Sequence, residues 1–356
     1  MNQDESVRVF SKRLKNARLL KGLSALQVAE SLHITRQAYS KYENGKSFPN
    51  SKILIDLHRI LDVSIDYLFR KTSFEKLDFD FRKKTKLTKT RQEQIELEVF
   101  DLLEKRIEIE DLLNVKVVSD LEQLSSHLEP IKSSQEISLL ASALRTQWGL
   151  GNEPIKNVST LFENHGIITV RISDDNGFDG ASSKIKEYGN RPVVIVNKNT
   201  ITERQRFTAV HELAHLYLKF TDLESREIES LCNTFANEFL LPSPKLNEIF
   251  VPNGPIYVKE IQALQAEYGL SFDAIVYRLN SSKIISDSSL KRYFIRKNSN
   301  PKLKDISEKS LFSENSSFKY ESLVFKALNE DVITSSQAAQ YLNVSIEELG
   351  ELGAVY

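Results

Sequence analysis

Apolar residues along this chain recur mostly at the three-to-four-residue spacing of an amphipathic helix, and in two places at the denser spacing of a strand. Over residues 6–70 the pattern predicts five short helices. Val7, Phe10, Leu14, Ala17 and Leu20 give the first, ended by Lys21-Gly22. Ser24 caps a second over 25–31, with Leu26, Val28, Ala29 and Leu32 turned inward. Thr35 caps a third, Arg36 to Glu43, which stops at Asn44-Gly45. Pro49-Asn50-Ser51 opens a fourth that runs to Leu61, and Ser64 caps a fifth from Ile65 to Phe69.

Farther along, Ile95, Val99, Leu102, Leu103 and Ile107 predict one longer acidic helix from Thr88 to about Leu113. Its heptads are too irregular for a coiled coil, and it reads as a spacer or dimerisation helix. Helices are expected over 135–148 and 154–165, and strands over Ile167–Ile172 and Arg191–Asn197. A Gly/Asp-rich turn is expected over 173–184, between the strands. Phe207, Val210, Leu213, Ala214, Tyr217 and Leu218 then mark a helix, and Thr202-Glu203-Arg204-Gln205 has the capping-box pattern for its start. Another helix spans 224–241, stopped by Pro242-Ser243-Pro244. Residues 296–317 are polar and read as loop, and 320–350 as a last small helical unit. That unit has a helix-turn-helix outline, but the acidic character of 321–356 favours a packing role.

Composition changes this picture in three ways. With 356 residues there is room for two or three domains. No apolar run approaches the roughly 18 residues of a membrane span, and the polar start Met1-Asn2-Gln3-Asp4-Glu5 is not that of a signal peptide. The single Cys232 excludes an intrachain disulfide, fits a reducing cytoplasm, and leaves a zinc site to His and carboxylates. Charge is also uneven. Residues 1–91 hold 20 Lys and Arg against 10 Asp and Glu, while 92–356 hold 28 against 39. A basic module that meets a polyanion, joined to an acidic remainder, fits that asymmetry. Residues 71–91, with Arg82, Lys83, Lys84, Lys86, Lys89 and Arg91, form a basic connector suited either to DNA phosphates or to a solvated linker.

The chemistry of the N-terminal module follows from its order of elements. Two short helices joined by a tight turn describe a helix-turn-helix, whose second helix enters the major groove of DNA. Arg36, Gln37, Ser40 and Lys41 project from the outer side of that helix, and Arg and Gln pair with guanine and adenine edges. Lys46 is placed to meet phosphate. The residues Leu23-Ser24, Val28-Ala29, Ile34-Thr35-Arg36-Gln37-Ala38-Tyr39-Ser40, Tyr42-Glu43-Asn44-Gly45-Lys46, Pro49 and Leu61-Asp62-Val63-Ser64 resemble the lambda-repressor-like (Cro/XRE) helix-turn-helix family. Two positions depart from it. His33 stands where the family has Gly in the turn, and Ala25 where many members have a phosphate-contacting Gln.

The second chemical signal is His211-Glu212-Leu213-Ala214-His215. Imidazoles at i and i+4 share one helix face and can share one Zn²⁺, with the adjacent Glu212 in reach of a water activated there. The helix over 224–241 offers Glu224, Glu227, Glu229 and Glu238 as a third ligand. Glu229 and Glu238 are nine residues apart, hence on opposite flanks at about 100° per residue, so at most one faces the metal. Small Cys232 and Ala236 beside Glu229 favour it modestly. Tyr188, Tyr217 and Tyr257 are candidates to stabilise an oxyanion. The run Arg204-x-Arg206-Phe207-Thr208-x-x-His211-Glu212-Leu213-Ala214-His215 is followed by Glu229-x-x-Cys232-Asn233-x-Phe235-Ala236-x-Glu238-x-Leu240-Leu241-Pro242. Together they resemble the ImmA/IrrE family of zinc metallopeptidases over roughly 135–290. The family usually has Ala where Cys232 stands. The resemblance implies His211, His215 and Glu229 as zinc ligands and Glu212 as general base.

The expectation is a multidomain protein. An all-α helix-turn-helix domain (1–71) precedes a connector and spacer helix (72–134), an α+β zincin-like metallopeptidase domain (135–290) and a small helical C-terminal region (291–356). The expected function is that of a DNA-binding transcriptional regulator carrying a zinc-dependent endopeptidase that hydrolyses a peptide bond in a partner regulator. The resemblance implies that partner to be a helix-turn-helix repressor or a toxin, in stress, mobile-element or toxin–antitoxin control. A homodimer on double-stranded DNA is expected from the geometry of such modules. The competing reading is a non-proteolytic repressor or antitoxin-like protein in which zinc only stabilises the fold.

Overall fold

In a computed structural model the protein is described over residues 3–72, 74, 77, 87–131, 133–314 and 316–352. The four segments expected above group into two compact units, one of residues 1–77 with 86–109, the other essentially 110–356. Arg82, Lys83, Lys84 and Lys86 of the basic connector lie outside the described residues.

The first unit contains α1 (Gln3–Leu20), α2 (Ala25–Ser31), α3 (Arg36–Glu43), α4 (Ser51–Leu61), α5 (Ile65–Phe69) and most of α6 (Lys89–Leu112). The side chains of Ser24, Thr35, Asn50 and Ser64 each accept a hydrogen bond from a backbone N–H of the first turn they cap. Four local signals therefore place four helices. Phe10, Leu14, Val28, Ala29, Tyr39, Leu57 and Leu68 form the shared core. His33 ends α2 at φ 55°, and Ile34 N–H returns to Ala29 C=O. This is a Schellman stop with an imidazole side chain in the left-handed position that glycine favours. Ile95, Val99, Leu103 and Ile107 of α6 are buried in the single chain. Glu104 receives two 2.6 Å bonds from buried Arg13.

The second unit begins with α7 (Leu121–Ser126), α8 (Ser134–Gln147) and α9 (Val158–Asn164). Asn157 caps α9, so the helix starts later than the expected 154. The sheet comprises β1 (Ile168–Ile172), β2 (Gly180–Ile185) and β3 (Arg191–Asn197) in the order β1-β3-β2. β3 pairs parallel with β1 and antiparallel with β2, and is buried at every position. The expected turn over 173–184 thus contains a strand. Gly-Ala-Ser-Ser-Lys-Ile has little strand propensity of its own, and its pairing with β3 decides its state.

Next come α10 (Thr202–Tyr217) and α11 (Ser225–Leu240). The capping box expected at Thr202 does not form. Ile201 is the N-cap, without a side-chain bond, and Thr202 is already helical. Instead Glu203 is buried and accepts bonds from Ser310 Oγ and Leu311 N–H. Then follow α12 (Ser243–Ile249), α13 (Val258–Tyr268), α14 (Phe272–Ser281), α15 (Asp287–Ser299) and α16 (Pro301–Glu308). The loop expected over 296–317 is therefore largely helix up to Glu308. Asn300 caps α16 and Pro301 starts it, a signal hidden by the polar composition. The small units α17 (Lys319–Asn329), α18 (Ser335–Leu342) and α19 (Ile346–Glu351) match the last helical unit expected. Val194, Val210, Leu213, Phe235, Phe239, Leu264 and Ile275 lie in one continuous core. Among the described residues no helix is long and apolar enough to cross a membrane.

Candidate functional site

One turn of α10 places His211 and His215 on the same side, with their Nε2 atoms 3.2 Å apart. α11 packs against α10 and brings Glu229 to them, Oε2 at 3.4 Å from His211 Nε2 and Oε1 at 3.2 Å from His215 Nε2. Tetrahedral zinc with ligands about 2.0–2.1 Å away sets neighbouring donors about 3.3–3.4 Å apart. The two nitrogens and the carboxylate fit a zinc ion by both spacing and donor type. Glu238, the other candidate, is buried elsewhere in an ion pair with Arg278 and bonds to Ser243.

The far side of each imidazole matters as much. His211 Nδ1 lies 2.9 Å from Asn233 Oδ1. With that nitrogen protonated and donating to the amide oxygen, Nε2 keeps its lone pair for a metal. His215 Nδ1 faces Cys232 Sγ at 3.7 Å. The buried thiol belongs to a His211–His215–Cys232 group whose ligand atoms lie within 4.8 Å of one another. It approaches the nitrogen opposite the one that faces Glu229, so the carboxylate completes the tighter donor set. Asn233 stood within the motif compared above, but its role was not read from the sequence. Its signal was its position, four residues after Glu229 on the helix.

Glu212 is 8% exposed and accepts a bond of 2.9 Å from Ser182 Oγ on β2. These groups line a cleft of about 890 Å³, together with Lys184, Arg204, Asp273, Lys297 and Lys309. Lys297 and Lys309 come from the region after residue 290, so that region contributes to the cleft. No tyrosine is among the described residues that line it. Tyr217 is buried against Phe235, and burial raises its pKa. Tyr188 donates to Asp111 and Tyr257 is exposed, so the structure puts none of the three tyrosine candidates in the cleft.

Behind the site, Arg206 is 2% exposed and pairs with Glu314. It also donates to the carbonyls of Ile155, Tyr268 and Gly269, and its guanidinium lies over the ring of Phe312. Desolvation lowers its pKa, and Glu314 opposes that shift. Glu314 also accepts from the N–H groups of Val158 and Ser159 at the start of α9. Sequence reading missed Glu314 because it lies 108 residues from its partner, in a stretch read as loop.

In the first unit, Arg36, Gln37, Lys41 and Lys46 are exposed on and just after α3. Ser40 is half-buried, and both its C=O and its Oγ accept from Asn44. The structure thus brings four of the five expected DNA-contacting side chains to the surface and leaves Ser40 partly engaged.

Two family models match separate stretches of the chain, a helix-turn-helix model at 14–68 and an IrrE N-terminal-like domain of the M78 peptidases at 163–280. The HTH-type transcriptional regulator YqaE of Bacillus subtilis is 46% identical over 76 residues, which are 21% of this chain and 66% of that protein. The SPbeta prophage-derived HTH-type regulator YonR of the same organism is 48% identical over 64 residues, 18% of this chain and 59% of YonR. The HTH-type transcriptional activator BcrR of Enterococcus faecalis is 39% identical over 59 residues, 17% of this chain and 29% of BcrR. The chain spans less than two thirds of each of these relatives. The chain thus joins a segment similar to helix-turn-helix domains at 14–68 to one similar to the IrrE-like domain of the M78 peptidases at 163–280.

Proposed function

We propose that this regulator is a zinc endopeptidase that cuts a partner regulator of its own helix-turn-helix class. The observation that carries the reading is the triangle of His211, His215 and Glu229 at zinc-ligand spacing, with Glu212 beside it in the cleft. His211, His215 and Glu229 would hold the ion, which when bound supplies Lewis-acid activation of water and of the scissile carbonyl. Asn233 keeps His211 in the ligating tautomer. Glu212 takes the proton of the attacking water and passes it to the departing amine. β2 is an edge of the sheet and lines the cleft, so an extended peptide can add to it as a further strand. A bare structural zinc site would have no use for Glu212 in that position.

At the other unit, Arg36 and Gln37 would read base edges while Ser40, Lys41 and Lys46 hold the phosphate backbone. The protein would act as a homodimer on a palindromic operator. The test incubates zinc-loaded protein with the helix-turn-helix proteins encoded beside it, and a Glu212→Gln sample runs in parallel. Cleavage by the wild type alone, located by mass spectrometry, supports the reading. Equal cleavage by both samples removes Glu212 from the mechanism, and an intact partner with the zinc-loaded wild type rejects that partner as substrate.

A further inference from the structure

We propose that Ser182 is the positioning residue for Glu212, so that edge strand β2 aims the proton-carrying carboxylate. The inference rests on the peptidase reading and adds a residue that the zinc-binding motif does not contain. Ser182 Oγ donates to Glu212 Oε2 at 2.9 Å. That bond engages one carboxylate oxygen and leaves Oε1 for the reacting proton. A glutamate side chain turns about three torsions, and a donor on a separate element selects among its rotamers.

The placement of β2 makes the contact reproducible. Gly180 sits two residues earlier on the same face of the strand. A Cβ there would lie 2.4 Å from Thr208 Cγ2 and 2.7 Å from Ile195 C=O, and 3.5 Å from Glu212 Cγ. The strand therefore lies on α10 with no room for a side chain at 180. One pleat further along, the same approach delivers the Ser182 hydroxyl to Glu212. The register is set by β3, where Gly180 pairs with Val196 and Ser182 with Val194. The strand that lines the cleft for substrate is thus the strand that holds the carboxylate.

The test measures binding of a dipeptide hydroxamate, whose hydroxyl proton needs a carboxylate acceptor, to the zinc-loaded full-length protein by calorimetry. Zinc content and melting temperature are recorded for every variant. Ser182→Ala should weaken hydroxamate binding about 10-fold, at the low end of what loss of a supporting partner costs a metal site. Zinc content should not change, Ser182→Thr should restore binding, and Glu212→Gln should weaken it further. If Ser182→Ala binds like wild type while Glu212→Gln does not, the proposal is overturned and the peptidase reading stands. If Glu212→Gln also binds like wild type, both are overturned. A Ser182→Ala protein that loses zinc, with no rescue by Thr, marks a structural role and overturns the proposal.

Discussion

The two helices to which the proposed chemistry is assigned, α3 and α10, are held in different ways. α3 is short and capped by its own Thr35, and Arg36, Gln37 and Lys41 stand free on its outer face. α10 has no side-chain cap, and its polar residues are held by partners far away in sequence. Ser182 holds Glu212, Asn233 holds His211, Glu229 approaches both imidazoles, and Glu314 holds Arg206. A surface reader needs only a rigid short helix, because DNA supplies the other half of the site. A metal centre must be assembled from several elements before any ligand arrives. Substitutions in α3 should therefore change binding without changing stability, whereas substitutions around α10 should change stability or metal affinity.

The largest effect that sharpens this contrast is expected at Glu314. Glu314→Ala leaves the Arg206 guanidinium buried without its carboxylate and should cost about 3–5 kcal/mol, read by chemical denaturation. A loss below 1 kcal/mol would mean that water or the backbone carbonyls satisfy Arg206, and the contrast would weaken. Zinc affinity comes next. Glu229→Ala should lower it by more than the ~10–100-fold typical of a lost supporting residue, and Asn233→Ala should fall inside that range, both by chelator competition. The cobalt-substituted protein should show no thiolate charge-transfer absorption. Such a band would move the third ligand from Glu229 to Cys232.

On the first unit, Arg36→Ala or Gln37→Ala should cost about 1–3 kcal/mol on the cognate operator and relax base preference there. The melting temperature should stay the same. Equal loss on all sequences would confine these side chains to phosphate. The smallest effect is expected at His33, whose left-handed backbone at φ 55° costs a residue with a Cβ about 1 kcal/mol. His33→Gly should raise the stability of the first unit by up to that amount, less the entropy that glycine adds to the unfolded chain. A drop in stability would show that the imidazole makes a contact worth more than the strain.

How much was legible follows the same division. The helix-turn-helix was readable almost residue by residue, since Ser24, Thr35, Asn50 and Ser64 cap helices through bonds to N–H groups three residues away. The pairing of His211 and His215 on one face of α10 was readable in their spacing, because i and i+4 share a face in any α-helix. The start of α10 at Thr202 fell where expected, but the expected capping box does not form, and Glu203 is buried against Ser310 and Leu311 instead. β2 and α16 were missed for a related reason. Gly180–Ile185 becomes a strand only through pairing with β3, and the Asn300-Pro301 start of α16 is masked by a polar run.

The sequence by itself determined the caps, the breaks, the paired imidazoles and the basic outer face of α3, all of which depend on neighbours within one or two turns. The resemblance implied Glu229 rather than Glu238, and the tertiary structure supplied the physical reason that Glu229 lies beside the imidazoles. Both glutamates lie on α11, on opposite flanks, and the choice depends on which flank meets α10 and which meets Arg278, forty residues beyond Glu238. Only the tertiary structure decided that Ser182 reaches Glu212 and that Glu314 reaches Arg206. Those contacts join side chains 30 and 108 residues apart, and no local periodicity carries information over such separations.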